Sequence, residues 1–90
     1  MEKLTIQDVR RAIYDMHDNE LSEIVAEISD DDLLDTSLTE DLMMDSLDVI
    51  EMTLEIERLH GISIPDDAYD KVKYKDSKIR TLLDIYNEAI

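Results

Sequence analysis

The sequence predicts an all-α domain, and three observations carry that expectation. The 90 residues contain one Gly and one Pro, which leaves little material for tight β-turns. Strong helix formers fill the chain. Apolar residues recur at three- and four-residue spacing over most of its length. Ninety residues bound a single domain, taken as residues 1–90, near the lower limit for a self-sufficient core. That core must be aliphatic, because Phe and Trp are absent while 43% of the residues are hydrophobic.

The first helix is expected from about Thr5 to Ile28. Thr5-Ile6-Gln7-Asp8 fits a capping box. Ile6, Val9, Ile13 and Met16 fall on one face, and Leu21, Ile24, Val25 and Ile28 continue it. No Gly or Pro interrupts this run, so one long helix, bent if at all near Asp18-Asn19-Glu20, is the preferred reading; the alternative is a second piece capped by Asn19. His17 falls in the polar middle and is expected to be solvated. Ser29 to Met44 then forms a long connection. Asp30, Asp31, Asp32 and Asp35 disfavour helix, Leu33, Leu34, Leu38 and Leu42 supply core plugs, and Ser37 with Glu40 suits a single capped turn.

The second helix is expected from Ser46 to about Leu59, with Asp45 as N-cap, Asp48 in the first turn and Gly61 as the left-handed stop. Ile62 and Ile64 point the same way from an extended link that Pro65 ends. Asp66 or Asp67 caps a short third helix to about Val72. Lys71, Lys73 and Lys75 read as a solvated basic turn. A final helix, capped by Asp76 or Ser77, buries Ile79, Leu82, Leu83 and Tyr86.

Charge and composition exclude several function classes. The net charge is −15 and the pI about 4.1, which disfavours nucleic acid and anionic membranes and favours basic protein partners. Without Cys there is no disulfide frame, thiolate metal site or redox pair. Asp30 to Asp41 has the length of an EF-hand loop but lacks its sixth-position Gly, an oxygen ligand at the fifth position and the closing Glu, so no metal site is expected. No apolar run suffices for a membrane span. A monomer in the cytoplasm is the expectation. Catalysis lacks parts: a nucleophilic serine needs a base and an oxyanion hole, the only imidazoles are His17 and His60, and no Gly-rich turn exists. His60, at a helix end, is expected to pack or cap.

The informative pattern lies on the second helix. At about 100° per residue, Val49, Met52, Ile56 and Leu59 share one arc, while Leu47, Ile50 and Leu54 share an opposite one. Asp48, Glu51 and Glu55 lie between the two. A surface helix has one apolar stripe, so the second is either wedged into a neighbour or kept for a partner.

Glu40-Asp41-Leu42, Asp45-Ser46-Leu47-Asp48, Glu51 and Gly61-Ile62-x-Ile64-Pro65-Asp66-Asp67 together resemble an acyl carrier protein, in order and in spacing, over about Ile13 to Tyr86. Asp-Ser-Leu alone is a weak signal; with the acidic helix and the Ile-Pro-Asp segment it is specific. The resemblance implies a four-helix bundle with a short third helix and a long loop between the first and second. It implies a non-catalytic carrier. It further implies that a phosphopantetheinyl transferase, served by magnesium, moves 4′-phosphopantetheine from coenzyme A onto Ser46, and that the arm's thiol carries an acyl group as a thioester. A chain without Cys has to borrow such a thiol, and a helix N-terminus favours a phosphate. Asp45, Leu47, Asp48, Ile50, Glu51, Leu54 and Glu55 are then the partner-binding residues, facing acyl-transfer, condensing and reducing enzymes with basic docking patches. Fatty-acid biosynthesis and a specialised, polyketide-like pathway both fit. The sequence departs from the family pattern at Met43, where Gly is usual, at Arg58, at His60 and in the early start of the first helix. The rival expectation is an acidic helical adaptor in which Ser46 is only a helix cap.

Overall fold

A computed structural model describes residues 3–17 and 19–90. The architecture is all-helical, with the order α1 (Ile6–Asp15), α2 (Asn19–Ala26), α3 (Asp30–Leu34), α4 (Ser46–His60), α5 (Ala68–Lys75) and α6 (Ile79–Ala89). α4, α5 and α6 match the second, third and last helices of the expected bundle, and two differences elsewhere have physical causes.

The long first helix is two helices. Met16 caps α1 and His17 turns into the left-handed region at φ 60°, so the ladder ends before the expected bend. Of the residues named for that bend, Asp18 lies outside the described residues, and Asn19 is the first residue of α2. The break falls where the apolar stripe lapses, between Met16 and Leu21. It leaves Leu21 and Val25 buried but Ile24 exposed. Arg10 holds the two pieces together: its guanidinium donates to the Val25 and Ile28 carbonyls and pairs with Asp30 at 2.9 Å. The Val25 carbonyl in the last turn of α2 and the Ile28 carbonyl just beyond it are thereby bonded by a cation, which also suits the dipole.

The second difference lies in the long connection, which contains α3. The aspartates that disfavour a helix interior here occupy a first turn, where negative charge is favourable. Ser29 caps it by accepting from the Asp32 N–H. Leu33, Leu38 and Leu42 plug into the core as expected, with Leu34 packed at its edge. The Ser37 hydroxyl accepts from the Glu40 N–H at 3.2 Å, which makes the expected single turn.

Elsewhere the elements follow the pattern. Asp45 caps α4 and Gly61 ends it at φ 62°. Ile64 is buried and Ile62 packs beside it. The short third helix of the expected bundle, α5, starts after Asp67 and runs past Val72 to Lys75, because Lys73 and Lys75 complement the C-terminal dipole of its last turn. Lys78 is the N-cap of α6; Asp76 contributes from two residues upstream by accepting from the Lys78 N–H. Ile79, Leu82, Leu83 and Tyr86 are all buried.

The core joins α1, α4 and α6. Within it Thr53 Oγ1 donates to the Val49 carbonyl at 2.8 Å and lies 2.9 Å from Tyr86 Oη. Because the threonine proton is already committed, the phenol is the donor of that second bond. Burial, above all, pushes the Tyr86 pKa up to about 12, so the donor proton is retained across the physiological range. The starts of α4 and α6 lie at the same end of the molecule, because Met44 and Ser77, each just before its helix, bond the same residue, Leu38. At that end the connection stitches them: Leu38 N–H donates to the Ser77 carbonyl at 2.8 Å, and Met44 N–H donates to the Leu38 carbonyl at 2.9 Å.

Candidate functional site

Ser46 is the first residue of α4 and is exposed. Its position is fixed by a reciprocal cap: the Asp48 N–H donates to Asp45 Oδ1 at 2.8 Å, and the Asp45 N–H donates to Asp48 Oδ2 at 3.1 Å. Met44, buried two residues earlier, anchors the approach. Met43 before it is 79% exposed and sits at φ 57°, the left-handed conformation that glycine adopts without strain. The sequence signal for this was the missing Gly at that position.

The two stripes of α4 separate cleanly. Val49, Met52 and Ile56 are fully buried, while Leu59, expected with them, is only half-buried near the helix end. Leu47, Ile50 and Leu54 are 63%, 48% and 56% exposed. Asp45 and Glu51 are exposed and Asp48 half-exposed beside them. Glu55 belongs to the same helix but is tied to Arg58 by a 2.8 Å ion pair. Ile50 and Leu54 form one wall of a cavity of about 100 Å³ whose other side is Ile64, Pro65 and Tyr69. Burial raises the pKa of the Tyr69 phenol, and the charges of Asp70 and Asp45 add to that, which places the start of α5 within the field of the α4 cap.

Neither imidazole makes a hydrogen bond with Ser46. His60 lies at the other end of α4, roughly 20 Å away at 1.5 Å per residue. There its Nε2 is 2.8 Å from Asp8 Oδ1. His17 is exposed in the α1–α2 turn. Burial pushes the Asp8 carboxyl up, but the Thr5 N–H that it accepts and the bond and charge of His60 outweigh this, and its pKa lies below the ordinary value. Among the described residues, no three His, Asp or Glu side chains gather as a metal site, and no helix is long and apolar enough to cross a membrane.

The arrangement suits a covalent phosphate ester. The Ser46 hydroxyl and the backbone N–H groups of Ser46 and Leu47 make no hydrogen bond within the protein, so both that hydroxyl and the positive end of the α4 dipole are open. Leu47, Ile50 and Leu54 then offer an apolar track beside it.

Comparison with known proteins agrees with this geometry. A family model described as a phosphopantetheine attachment site matches residues 19–84. The chain is 30% identical over 81 residues to an acyl carrier protein of Chloroherpeton thalassium, covering 90% of this chain and 96% of that one. It is 32% identical over 68 residues to one of Amoebophilus asiaticus, covering 76% and 80%. It is 34% identical over 80 residues to one of Petrotoga mobilis, covering 80% and 94%. No solved structure matches the chain.

Proposed function

Because the chain belongs to the acyl carrier protein family, whose members are non-catalytic and bear a covalently attached 4′-phosphopantetheine, we propose that Ser46 is the attachment residue and that a phosphopantetheinyl transferase loads it from coenzyme A. The observation that carries this reading is an unbonded, exposed serine hydroxyl opening a 15-residue helix whose next two turns leave Leu47, Ile50 and Leu54 uncovered. The 4′-phosphopantetheine arm supplies a thiol that holds an acyl group as a thioester. The residues of this chain hold the ester at a helix start and present it. Asp45, Asp48 and Glu51 attract basic partner surfaces, and Leu47, Ile50 and Leu54 form the apolar centre of the docking face. Glu55 contributes less, because Arg58 already neutralises it.

In this reading the protein is a cytoplasmic monomer, a single domain over residues 1–90. It delivers acyl intermediates to acyl-transfer, condensing and reducing enzymes of fatty-acid or specialised, polyketide-like biosynthesis. The absence of cysteine gives a direct test, since the unmodified chain has no thiol at all. After incubation with coenzyme A and a transferase, followed by desalting, a thiol assay should return one thiol per chain. A value of zero would reject the carrier reading in favour of an adaptor without a prosthetic group.

A further inference from the structure

Beside the start of α4 lies a cleft of about 250 Å³, separate from the cavity walled by Ile50 and Leu54. Leu21 of α2 and Leu42 and Met44 of the long connection form its floor, and all three are buried. Ile24 and Met43 stand on its edge, 47% and 79% exposed. Glu20, Asp41 and Asp48 complete the lining. At about 100° per residue, Asp48 stands roughly 160° around α4 from Ile50, so the start of this helix has exposed apolar surface on two sides.

Local roles account for the three carboxylates. Asp41 accepts the Ser37 N–H at 2.8 Å, Asp48 accepts the Asp45 N–H, and Glu20 sits in the first turn of α2, where the dipole favours it. No local role accounts for the apolar side chains between them. Ile24 stays outside the stripe that buries Leu21 and Val25, and Met43 keeps its side chain on a left-handed backbone that glycine would hold without strain. None of the ion pairs among the described residues involves Glu20, Asp41 or Asp48, and no Lys, Arg or His lines the cleft. An apolar floor with bare apolar edges thus lies among carboxylates that no cation neutralises, which is the composition of an interface core with a polar rim.

We propose that this cleft is the second half of the docking face for the transferase that modifies Ser46, and that it receives an apolar side chain of that enzyme flanked by Arg or Lys. Interface size supports the extension. Each partner in a protein–protein contact contributes roughly 20–30 residues, more than one 15-residue helix with a buried arc can present. Charge selects the occupant. A basic enzyme brings cations to Glu20, Asp41 and Asp48, whereas the 4′-phosphopantetheine arm brings an anionic phosphate and a second copy of the chain brings a further net charge of −15. The flexible thioether of Met43 adapts to an apolar partner group, which a glycine at that position cannot do. Contact on both sides of the helix start also fixes how the enzyme is rotated about Ser46, which contact with α4 alone does not.

The proposal rests on the Ser46 reading, and one set of measurements separates the two. Modification kinetics with coenzyme A and a broad-specificity phosphopantetheinyl transferase are measured for the wild type, Ile24→Ala, Met43→Gly and the double variant, with the melting temperature as the fold control. Each single variant is expected to raise KM about threefold and the double variant about tenfold, with kcat unchanged. Met43→Gly guards against a misfolded variant, because it relieves the left-handed backbone; weaker docking by a chain that melts no lower is not a loss of fold. A purely local role for these side chains moves the melting temperature and leaves KM alone. KM values within about twofold of the wild type for Met43→Gly and for the double variant overturn the second half of the face while leaving Ser46 in place. A fall in kcat at constant KM overturns it as well. So does an unchanged KM together with a shift of the Ile24 and Met43 methyl resonances when the wild type is loaded, since the arm and not the enzyme then fills the cleft. No modification of the wild type overturns the Ser46 reading and this proposal with it.

Discussion

Met43 holds a backbone conformation that its own side chain resists. At φ 57° a non-glycine residue loses about 1–2 kcal/mol to the clash of its Cβ with the following carbonyl. Met43→Gly should therefore stabilise the protein by about 0.5–1 kcal/mol after the entropy of the more flexible unfolded chain is deducted, and Met43→Val should destabilise it; paired denaturant titrations check both. The departure from the family pattern at Met43 was visible in the sequence, but its conformational meaning required the fold. The same holds for His60. Its place at the end of a helix was legible, whereas its partner Asp8 is 52 residues away and no local pattern announces that bond. Asp8 also sets a pH dependence. Its folded pKa lies below the unfolded value, so its contribution is fully present above the ordinary carboxylate range and is lost as pH falls through the lowered folded value. Asp8→Asn should flatten the acid limb of the stability curve below about pH 4 and leave the slope at neutral pH as it was. An acid limb identical to that of the wild type would show that this pair does not contribute.

At the scale of elements, α4 was the most legible part of the chain. Fifteen residues between a strong cap and the chain's one glycine leave the helical period no ambiguity, and the two apolar arcs follow from it. The buried arc fails only at Leu59, where α4 is about to end. The break between α1 and α2 was legible only as the alternative of a second piece at Asn19, because it uses neither Gly nor Pro but a histidine in the left-handed region. The α3 helix was masked because aspartate disfavours helix interiors and favours first turns, and five residues hold little else. The arcs of α4 yield a quantitative contrast. Ile56→Ala empties a fully buried site and should cost about 2–5 kcal/mol. Leu47→Ala removes a side chain that is 63% exposed and should stay within about 0.5 kcal/mol of the wild type. On the proposed carrier reading, modification of this variant should nonetheless slow, because Leu47 adjoins Ser46 at the centre of the proposed docking face. Equal destabilisation by the two variants would make the second arc core.

Across the whole molecule, the net charge of −15 sets the terms of both stability and recognition. Self-repulsion opposes compaction, and screening acts over about 8 Å at physiological ionic strength, well inside a molecule of this size. Added salt should therefore raise the melting temperature, by roughly 4–8 °C for each kcal/mol regained in a domain this small. The same titration should slow modification of Ser46, because steering toward a basic enzyme is screened as well. A melting temperature that stays flat or falls would show that repulsion does not limit stability. The central claim, that Ser46 is the residue through which this carrier works, is tested most directly by intact-mass measurement of the wild type and of Ser46→Ala after incubation with coenzyme A and a transferase. The account predicts the addition of one phosphopantetheine to the wild type and none to the variant, with the helical signal of the two alike. Addition to the variant, or none to the wild type, would contradict it.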